Sequence, residues 1–431
     1  MNLIVDSIGD IVQDFIQEKI LVKLVFFEYL PAPPQAVWSF ITDPQYINTW
    51  STAFIETLEP GDRSQAASIG GTRQVTINIP GGDIILKEVI EHCQPPKRFV
   101  YRVFQGKFIR YHRGEIQLIP QGEKTLLRWD VDYEFFLPIL PKIARIILEE
   151  QITQSLKQLA KVVKNAPVKN FPSLDRNLDE SQKIPELWER AEKVLLEQRM
   201  TADRLAAAGD PKCWFTRVYE YVTEYQLQAC REGRITHQGW LLRLIPRFHD
   251  YYYDNLMRWM GETSGLVESQ WRIAFQAMEE GKYEDGDARA FVYGLMKGVE
   301  AHIEEDLPRA LAEVYYHHYS HQFSYARFRA DYILMADIFY KSAHRLQQEL
   351  PERYFPSYMK MLNTILPLEI QGGIISKYFY DIPQRRLLAF ERGERLVNFM
   401  TESHLSTPFK DADNHKLARL AGFVGIKGER E

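Results

Sequence analysis

The stretch LVKLVFFEYLPAPPQAVWSFITDPQYINTWS, residues 21–51, decides the fold of the N-terminal part of the chain. Its first ten residues read as a strand that stops at PAPP, where proline fixes φ and offers no backbone donor. PPQAVWSFITD then reads as a short helix with Val37, Phe40 and Ile41 spaced for burial. From there to residue 135 the dominant period is two. AFIETLE (53–59) and the segments 70–80, 83–92, 97–104, 107–118 and 124–135 bring the strands to seven. Pro-Gly-Gly (80–82), Gln-Pro-Pro (94–96), Gln-Gly (105–106) and Pro-Gln-Gly-Glu (120–123) separate them, and connections this short force antiparallel neighbours. An amphipathic helix over 142–164 carries Ile143, Ile146, Ile147, Ile152, Leu156, Leu159 and Val163 as its apolar stripe, the cover that a one-sided sheet needs.

Strand 124–135 alternates cleanly, with Leu127, Trp129, Val131, Tyr133 and Phe135 on one side and Arg128, Asp130, Asp132 and Glu134 on the other. Strand 97–104 turns Phe99, Tyr101 and Val103 inward. Two strands break this pattern. The apolar phase Ile84, Leu86, Ile90 includes Glu88, and the phase Phe108, Ile116, Leu118 includes Arg110 and His112. A charge on a covered face is costly unless it is paired or wetted. Either a bulge flips the phase or the charges sit at an open rim, or these three side chains project into a wet cavity and orient a polar ligand group.

This order of elements resembles the START/polyketide cyclase–dehydrase superfamily over about residues 20–165. YLPAPPQAVWSFITDPQYINTWS (29–51) looks like that family's opening signature: strand, Pro-rich corner, Val-Trp helix, then an Asp-Pro turn leading to Trp50. The resemblance implies a helix-grip fold with a cavity between sheet and long helix. Its members bind lipids, polyketides, hormones or aromatic compounds, only some are catalysts, and no universal catalytic residue carries over. The candidate cavity residues are Trp50, Phe54, Tyr101, His112, Trp129 and Ile147, joined by Glu88 and Arg110. The fold class expected for the whole chain is α+β: a seven-stranded antiparallel helix-grip domain followed by an all-α domain.

Outside this core, residues 1–20 have a helical period. Ile4, Ile8, Ile11, Val12, Phe15 and Ile16 lie on one face, with Asp6, Asp10, Asp14 and Glu18 opposite. A helix that lies on a membrane carries Lys and Arg on its polar face, so this acidic one is expected to dock on protein, as an oligomer contact or on a partner. NAPVKNFPSLDRNLDESQKIP (165–185) is polar and Pro-rich, a linker placed over 166–185. The span 186–403 reads as helices throughout, and 404–431 as a loose polar tail.

The sharpest feature of the helical part lies in GLMKGVEAHIEEDLPRAL, where His302 and Asp306 stand at i, i+4 on one face. Pro308 places a helix end beside them, so the pair is expected at a mouth. His249 with Tyr253, Asp250 with Asp254, Asp331 with Asp337 and His344, and His317 with His321 repeat the theme. His302, Asp306 and His249 are the candidate ligands of a divalent metal ion. The plainer reading of each pair is a helix-surface contact. The same stretch resembles the Met/Val-x-Ala-His-Ile-x-x-Asp-Leu signature of an uncharacterised, mostly bacterial helical family over roughly 190–400. That family brings no established activity.

Composition narrows the function classes. Net charge is −5, with 53 Lys and Arg against 58 Asp and Glu, and no basic track is present for nucleic acid. Cys93, Cys213 and Cys230 are too scattered for a disulfide framework. No apolar run is long enough to span a membrane, and the N-terminus lacks a basic leader segment, so the cytoplasm is the expected compartment. Gly-rich phosphate loops and a Gly-x-Ser-x-Gly elbow are both missing from the sequence. Three readings remain: a binder of a hydrophobic or amphipathic small molecule (lipid, isoprenoid, polyketide or aromatic compound), a metal-dependent enzyme working through the helical domain, and an oligomeric scaffold.

Overall fold

A computed structural model describes residues 21–79, 82–106, 109–135, 140–171, 180–280, 288–354 and 381–402. The expectations for segments 1–20 and 404–431, and the part of the helical span 186–403 that covers 355–380, fall outside these residues. The chain forms two compact units, one of residues 1–178 with 323–334, the other of 179–322 with 335–431.

The first unit is built on β1 (Val22–Leu30), β2 (Ala53–Glu59), β3 (Thr72–Ile79), β4 (Gly82–Gln94), β5 (Arg98–Gly106), β6 (Ile109–Gln121) and β7 (Lys124–Phe135). They form one antiparallel sheet in the order β1-β7-β6-β5-β4-β3-β2. All seven strands fall where the period-two segments lie. Between β1 and β2 come α1 (Pro34–Thr42) and α2 (Pro44–Ile47), and α3 (Leu140–Val162) follows β7. Pro34 opens α1, where a missing donor costs nothing, and Asp43 caps α2 by accepting from the Gln45 N–H at 3.0 Å. Trp50 donates its indole N–H to the Phe40 carbonyl at 2.7 Å, folding the two helices onto each other. Asn48 then exchanges two 2.8 Å hydrogen bonds with the Ile55 backbone and leads the chain into β2. Ser155 of α3 accepts from the Thr52 N–H at 3.1 Å, pinning the long helix to this strap.

The core between sheet and α3 contains Leu24, Val37, Trp38, Trp50, Phe99, Ile116, Leu127, Val131, Tyr133, Leu156 and Leu159. Each aliphatic side chain fully buried here contributes roughly 1.5–3 kcal/mol. The stripe expected on α3 is partly corrected. Ile152, Leu156 and Leu159 are buried with Val163 just beyond, whereas Ile146 faces solvent.

The second unit is helical: α4 (Ile184–Ala207), α5 (Cys213–Arg231), α6 (Gln238–Trp259), α7 (Ser269–Glu280), α8 (Ala288–Glu300), α9 (Leu307–His318), α11 (Ala336–Glu349) and α12 (Ile382–Glu402). The intervening α10 (Arg329–Leu334) belongs to the first unit, with the single turn Tyr325–Phe328 before it. The helical run across this stretch is therefore broken, and Asp331 lies in one unit while Asp337 and His344 lie in the other. Pro308 does not end a helix. α8 runs into α9 through a π-helical turn over Ala301–Asp306, in which the Leu307 N–H reaches back to the His302 carbonyl. The carbonyl of Glu304, which the Pro308 nitrogen cannot serve, accepts instead from the Arg392 guanidinium of α12 at 3.0 Å. Among the described residues no helix is long and apolar enough to cross a membrane.

Candidate functional sites

The charged residues on apolar strand phases resolve differently from one another. Glu88 does point inward and is buried. Its partner is Arg73, which shares the inward phase of β3 with Val75 and stands opposite Glu88 in register. The Arg73 Nε donates to Glu88 Oε1 at 2.6 Å, a second guanidinium nitrogen closes on the same oxygen, and the guanidinium carbon lies 5.0 Å from the Phe99 ring centre and 5.6 Å from that of Tyr101. Burial raises the Glu88 carboxyl against the pull of Arg73. Arg73 Nη1 is buried without a hydrogen-bond partner.

Tyr101 lies beside this pair. Its ring crosses the bare backbone of Gly114, its cross-strand neighbour, so that a Cβ there would come within 2.1 Å of Tyr101 Cζ. That lets its hydroxyl accept from the Trp129 indole at 3.2 Å. The His112 ring stands 6.0 Å from the Tyr101 ring with Nδ1 buried and unpaired, and burial lowers its pKa to about 4. The imidazole is neutral at physiological pH. Burial likewise pushes the Tyr101 phenol well up, so it stays protonated.

Three expected cavity residues are placed otherwise. Phe54 is 51% exposed, because β2 turns Ala53 and Ile55 inward and Phe54 out. Arg110 sits at an irregularity between Ile109 and Tyr111 and pairs with Glu134 at 3.0 Å, a residue of the opposite phase; the bulge reading holds for it. Ile147 is only half-buried. Trp50 is a core pillar. Arg73 was overlooked, although the β3–β4 register sets it directly across from Glu88.

In the second unit, His302 and Asp306 are buried in the π-turn rather than at a mouth, and Asp306 is fully enclosed. Asp306 Oδ2 takes the Trp271 indole N–H at 3.0 Å and His302 Nδ1 at 2.9 Å, and Oδ1 takes the Arg309 guanidinium at 2.5 Å. Arg309 also holds Glu268 through two bonds of 3.1 and 2.9 Å and lies 4.3 Å from the Tyr251 ring centre. The Tyr251 hydroxyl donates to Glu313 at 2.9 Å, and Arg247 closes on the same carboxylate. Burial pushes the Asp306 carboxyl up while Arg309 pulls it down. Burial, then the neighbouring His249 and Arg309, hold His302 well below the usual imidazole range. Its ring stacks on Phe248 at 3.6 Å, Nδ1 is committed to Asp306, and Nε2 is buried without a partner.

These commitments do not suit the expected metal ligands. Both oxygens of Asp306 are occupied by donors, one of them a cation. His249 is engaged elsewhere, with Gln198 3.4 Å from Nδ1 and Glu197 3.3 Å from Nε2. Among the described residues no group of three or more His, Cys, Asp and Glu side chains is disposed to hold an ion. Elsewhere in this unit, Arg199, Trp214, Arg217, Tyr221 and Arg345 line a surface pocket of about 440 Å³ that contains none of the candidate ligand-cavity or metal residues.

Residues 27–164 match the family described as polyketide cyclase / dehydrase and lipid transport, and residues 191–372 match a family of unknown function, DUF5995. The first unit is thus a START-like helix-grip domain, followed in the chain by a DUF5995 region. Solved structures similar to this chain include a START superfamily protein from Mycobacterium smegmatis, 16% identical, covering 33% of this chain and 97% of its own, at a TM-score of 0.30. The Zhui aromatase/cyclase from Streptomyces sp. R1128 is 14% identical and covers 34% of this chain and 94% of its own, at 0.29. Norcoclaurine synthase from Thalictrum flavum, solved with dopamine and hydroxybenzaldehyde, is 13% identical and covers 36% and 94%, also at 0.29. No curated protein matches the chain.

Proposed function

We propose that the first unit binds an amphipathic small molecule, its apolar body between the sheet and α3 and an oxygen-bearing polar group against Arg73 and His112. The observation that carries this is the pair of unpaired polar atoms, Arg73 Nη1 and His112 Nδ1, buried beside Tyr101 within an otherwise apolar interior. An unsatisfied buried polar atom costs about 1–3 kcal/mol, and a carbonyl, hydroxyl or carboxylate oxygen would recover that cost on binding. The matched family, described by cyclase, dehydrase and lipid-transport members, supports the same reading.

The test uses the full chain. Native mass spectrometry should find a stoichiometric hydrophobic compound, and titration with the apolar anion 1-anilinonaphthalene-8-sulfonate should show saturable binding that competes with it. His112→Leu should weaken binding at least tenfold while leaving the fold intact by circular dichroism. Binding equal in wild type and variant, or none in either, would refute the proposal.

A further inference from the structure

Tyr101 is buried with a proton still to give. A hydroxyl offers one proton and receives on its lone pairs, whereas an indole N–H can only donate. The 3.2 Å bond from Trp129 therefore occupies a lone pair of the phenol and leaves its O–H unspent. Among the described residues no acceptor takes that proton. Burial keeps it on the oxygen by pushing the phenol well above its ordinary range. The backbone is shaped for this placement. Register sets Tyr101 opposite Gly114, and the ring lies across that bare glycine, where a Cβ would strike the phenol tip. His112, two residues from Gly114 on the same strand, brings its ring to 6.0 Å from the Tyr101 ring, and the Arg73 guanidinium carbon lies 5.6 Å from it. Tyr101 is thus a neighbour of both groups that carry unpaired atoms.

We infer that Tyr101 is the hydrogen-bond donor that orients the ligand, and that the group it orients is a carbonyl-type oxygen, as in a ketone, ester or carboxylic acid. This rests on the binding reading above and narrows it. Arg73 Nη1 can only donate, and the Tyr101 hydroxyl has its proton left, so an oxygen that meets them must present lone pairs. A carbonyl oxygen has two and carries no proton of its own. An alcohol brings a proton that needs an acceptor in a mostly apolar interior, where the Glu88 carboxylate already holds Arg73.

Displacement of the anilinonaphthalene sulfonate probe from the full chain tests this with three compounds of similar shape: benzophenone, its isostere with C=CH2 in place of C=O, and benzhydrol. Benzophenone should bind about tenfold tighter than the isostere and about threefold tighter than benzhydrol. Tyr101→Phe keeps the ring over Gly114 and removes the proton; it should weaken benzophenone about tenfold and the isostere less than about twofold. The carbonyl stretch of bound benzophenone reads the same bond without a substitution. In the wild type it should lie below its position in hexane, and Tyr101→Phe should return it part of the way. Binding of all three compounds with no preference for benzophenone would overturn this inference and leave the binding reading standing. So would a preference undiminished in Tyr101→Phe, benzhydrol bound as tightly as benzophenone, or an unshifted stretch in the wild type, the last even if the variant does not fold. No saturable binding of any of the three would refute both.

Discussion

Asp306→Asn removes one charge from the most enclosed carboxylate of the helical unit and changes almost nothing in shape. The wild-type side chain accepts from Trp271, His302 and Arg309 and donates to nothing. Asparagine has one acceptor oxygen. If that oxygen faces Arg309, its amide N–H2 confronts the Trp271 indole N–H, two donors in contact. If it faces Trp271 and His302, the N–H2 confronts a guanidinium. Either way a buried donor is orphaned and Arg309 keeps Glu268 as its remaining anionic partner. Breaking a buried pair from one side costs about 3–5 kcal/mol. For a unit of this size that is roughly 6–20 °C in Tm, at about 2–4 °C per kcal/mol. Thermal unfolding of the full chain followed by circular dichroism should show the helical transition lowered by that amount. Glu300→Gln, which removes a 42%-exposed partner of Lys297, is the control and should cost no more than about 1 kcal/mol. If the Asn variant melts within about 2 °C of wild type, Asp306 is not the hub of the network and the account given of the π-turn fails.

Arg73→Met leaves Glu88 buried without its cation and should lower stability by about 3–5 kcal/mol in denaturant titrations, whereas Arg73→Met/Glu88→Leu should recover most of the loss; a double variant no more stable than the single one would refute the pairing. Gly114→Ala drives a methyl into the Tyr101 ring and should cost about 1–3 kcal/mol, with a changed near-ultraviolet signal from Trp129 as the Tyr101 contact is lost. Acid should loosen the first unit through His112. Its folded pKa, about 4, lies below the ordinary 6.5, so the unfolded chain takes up a proton that the folded one refuses. That stability is full above pH 6.5 and is lost as pH falls towards 4, at about 1.4 kcal/mol per pH unit and up to about 3 kcal/mol in all. Urea midpoints between pH 7 and 4.5 should show this slope, and His112→Gln should flatten it. Arg392→Ala should cost about 1 kcal/mol by stranding the Glu304 carbonyl, and Pro308→Ala, which restores a backbone donor, should return most of it in the same assay.

The strands were legible because each has one buried face and a short turn with its own chemistry, so period and punctuation agree. The polar interior was half legible. Glu88 and His112 announce themselves as ionisable side chains on an apolar phase, but Arg73 becomes visible only once strand register is applied. Arg110 misleads because a bulge, which has no composition of its own, reverses its phase. Phe54 fails for a related reason: on an edge strand an aromatic side chain can face out as readily as in. In the helical part the i, i+4 pair His302 and Asp306 was found correctly and placed wrongly. Proline signals a missing donor, and sequence does not reveal that an arginine more than eighty residues later fills the gap, or that the turn before it widens to a π-helix. Nor does spacing reveal that Arg309, one turn on, takes the place beside Asp306 where a metal was expected.

The most consequential feature that spacing could not reveal is the return of residues 323–334 to the first unit. Asp62 is a buried carboxylate whose partners come from this segment: the Ser324 N–H at 3.1 Å, its hydroxyl at 2.8 Å and the Arg327 guanidinium at 3.0 Å. Arg329 donates from one nitrogen to the Pro60 and Gly70 carbonyls at 2.8 and 2.9 Å. Gly70, at φ +79°, has no room for a side chain, since a Cβ would fall 1.8 Å from the Ala326 carbonyl oxygen. α10 packs on β4, where Val89 alternates with the inward Glu88 and Ile90 and is nonetheless fully buried. The sheet that carries Arg73, Glu88, Tyr101 and His112 is therefore completed by residues that lie within the DUF5995 match. Expressing the helix-grip residues without 323–334 would strand the Asp62 carboxylate, at a cost of several kcal/mol by the rules that govern buried charge.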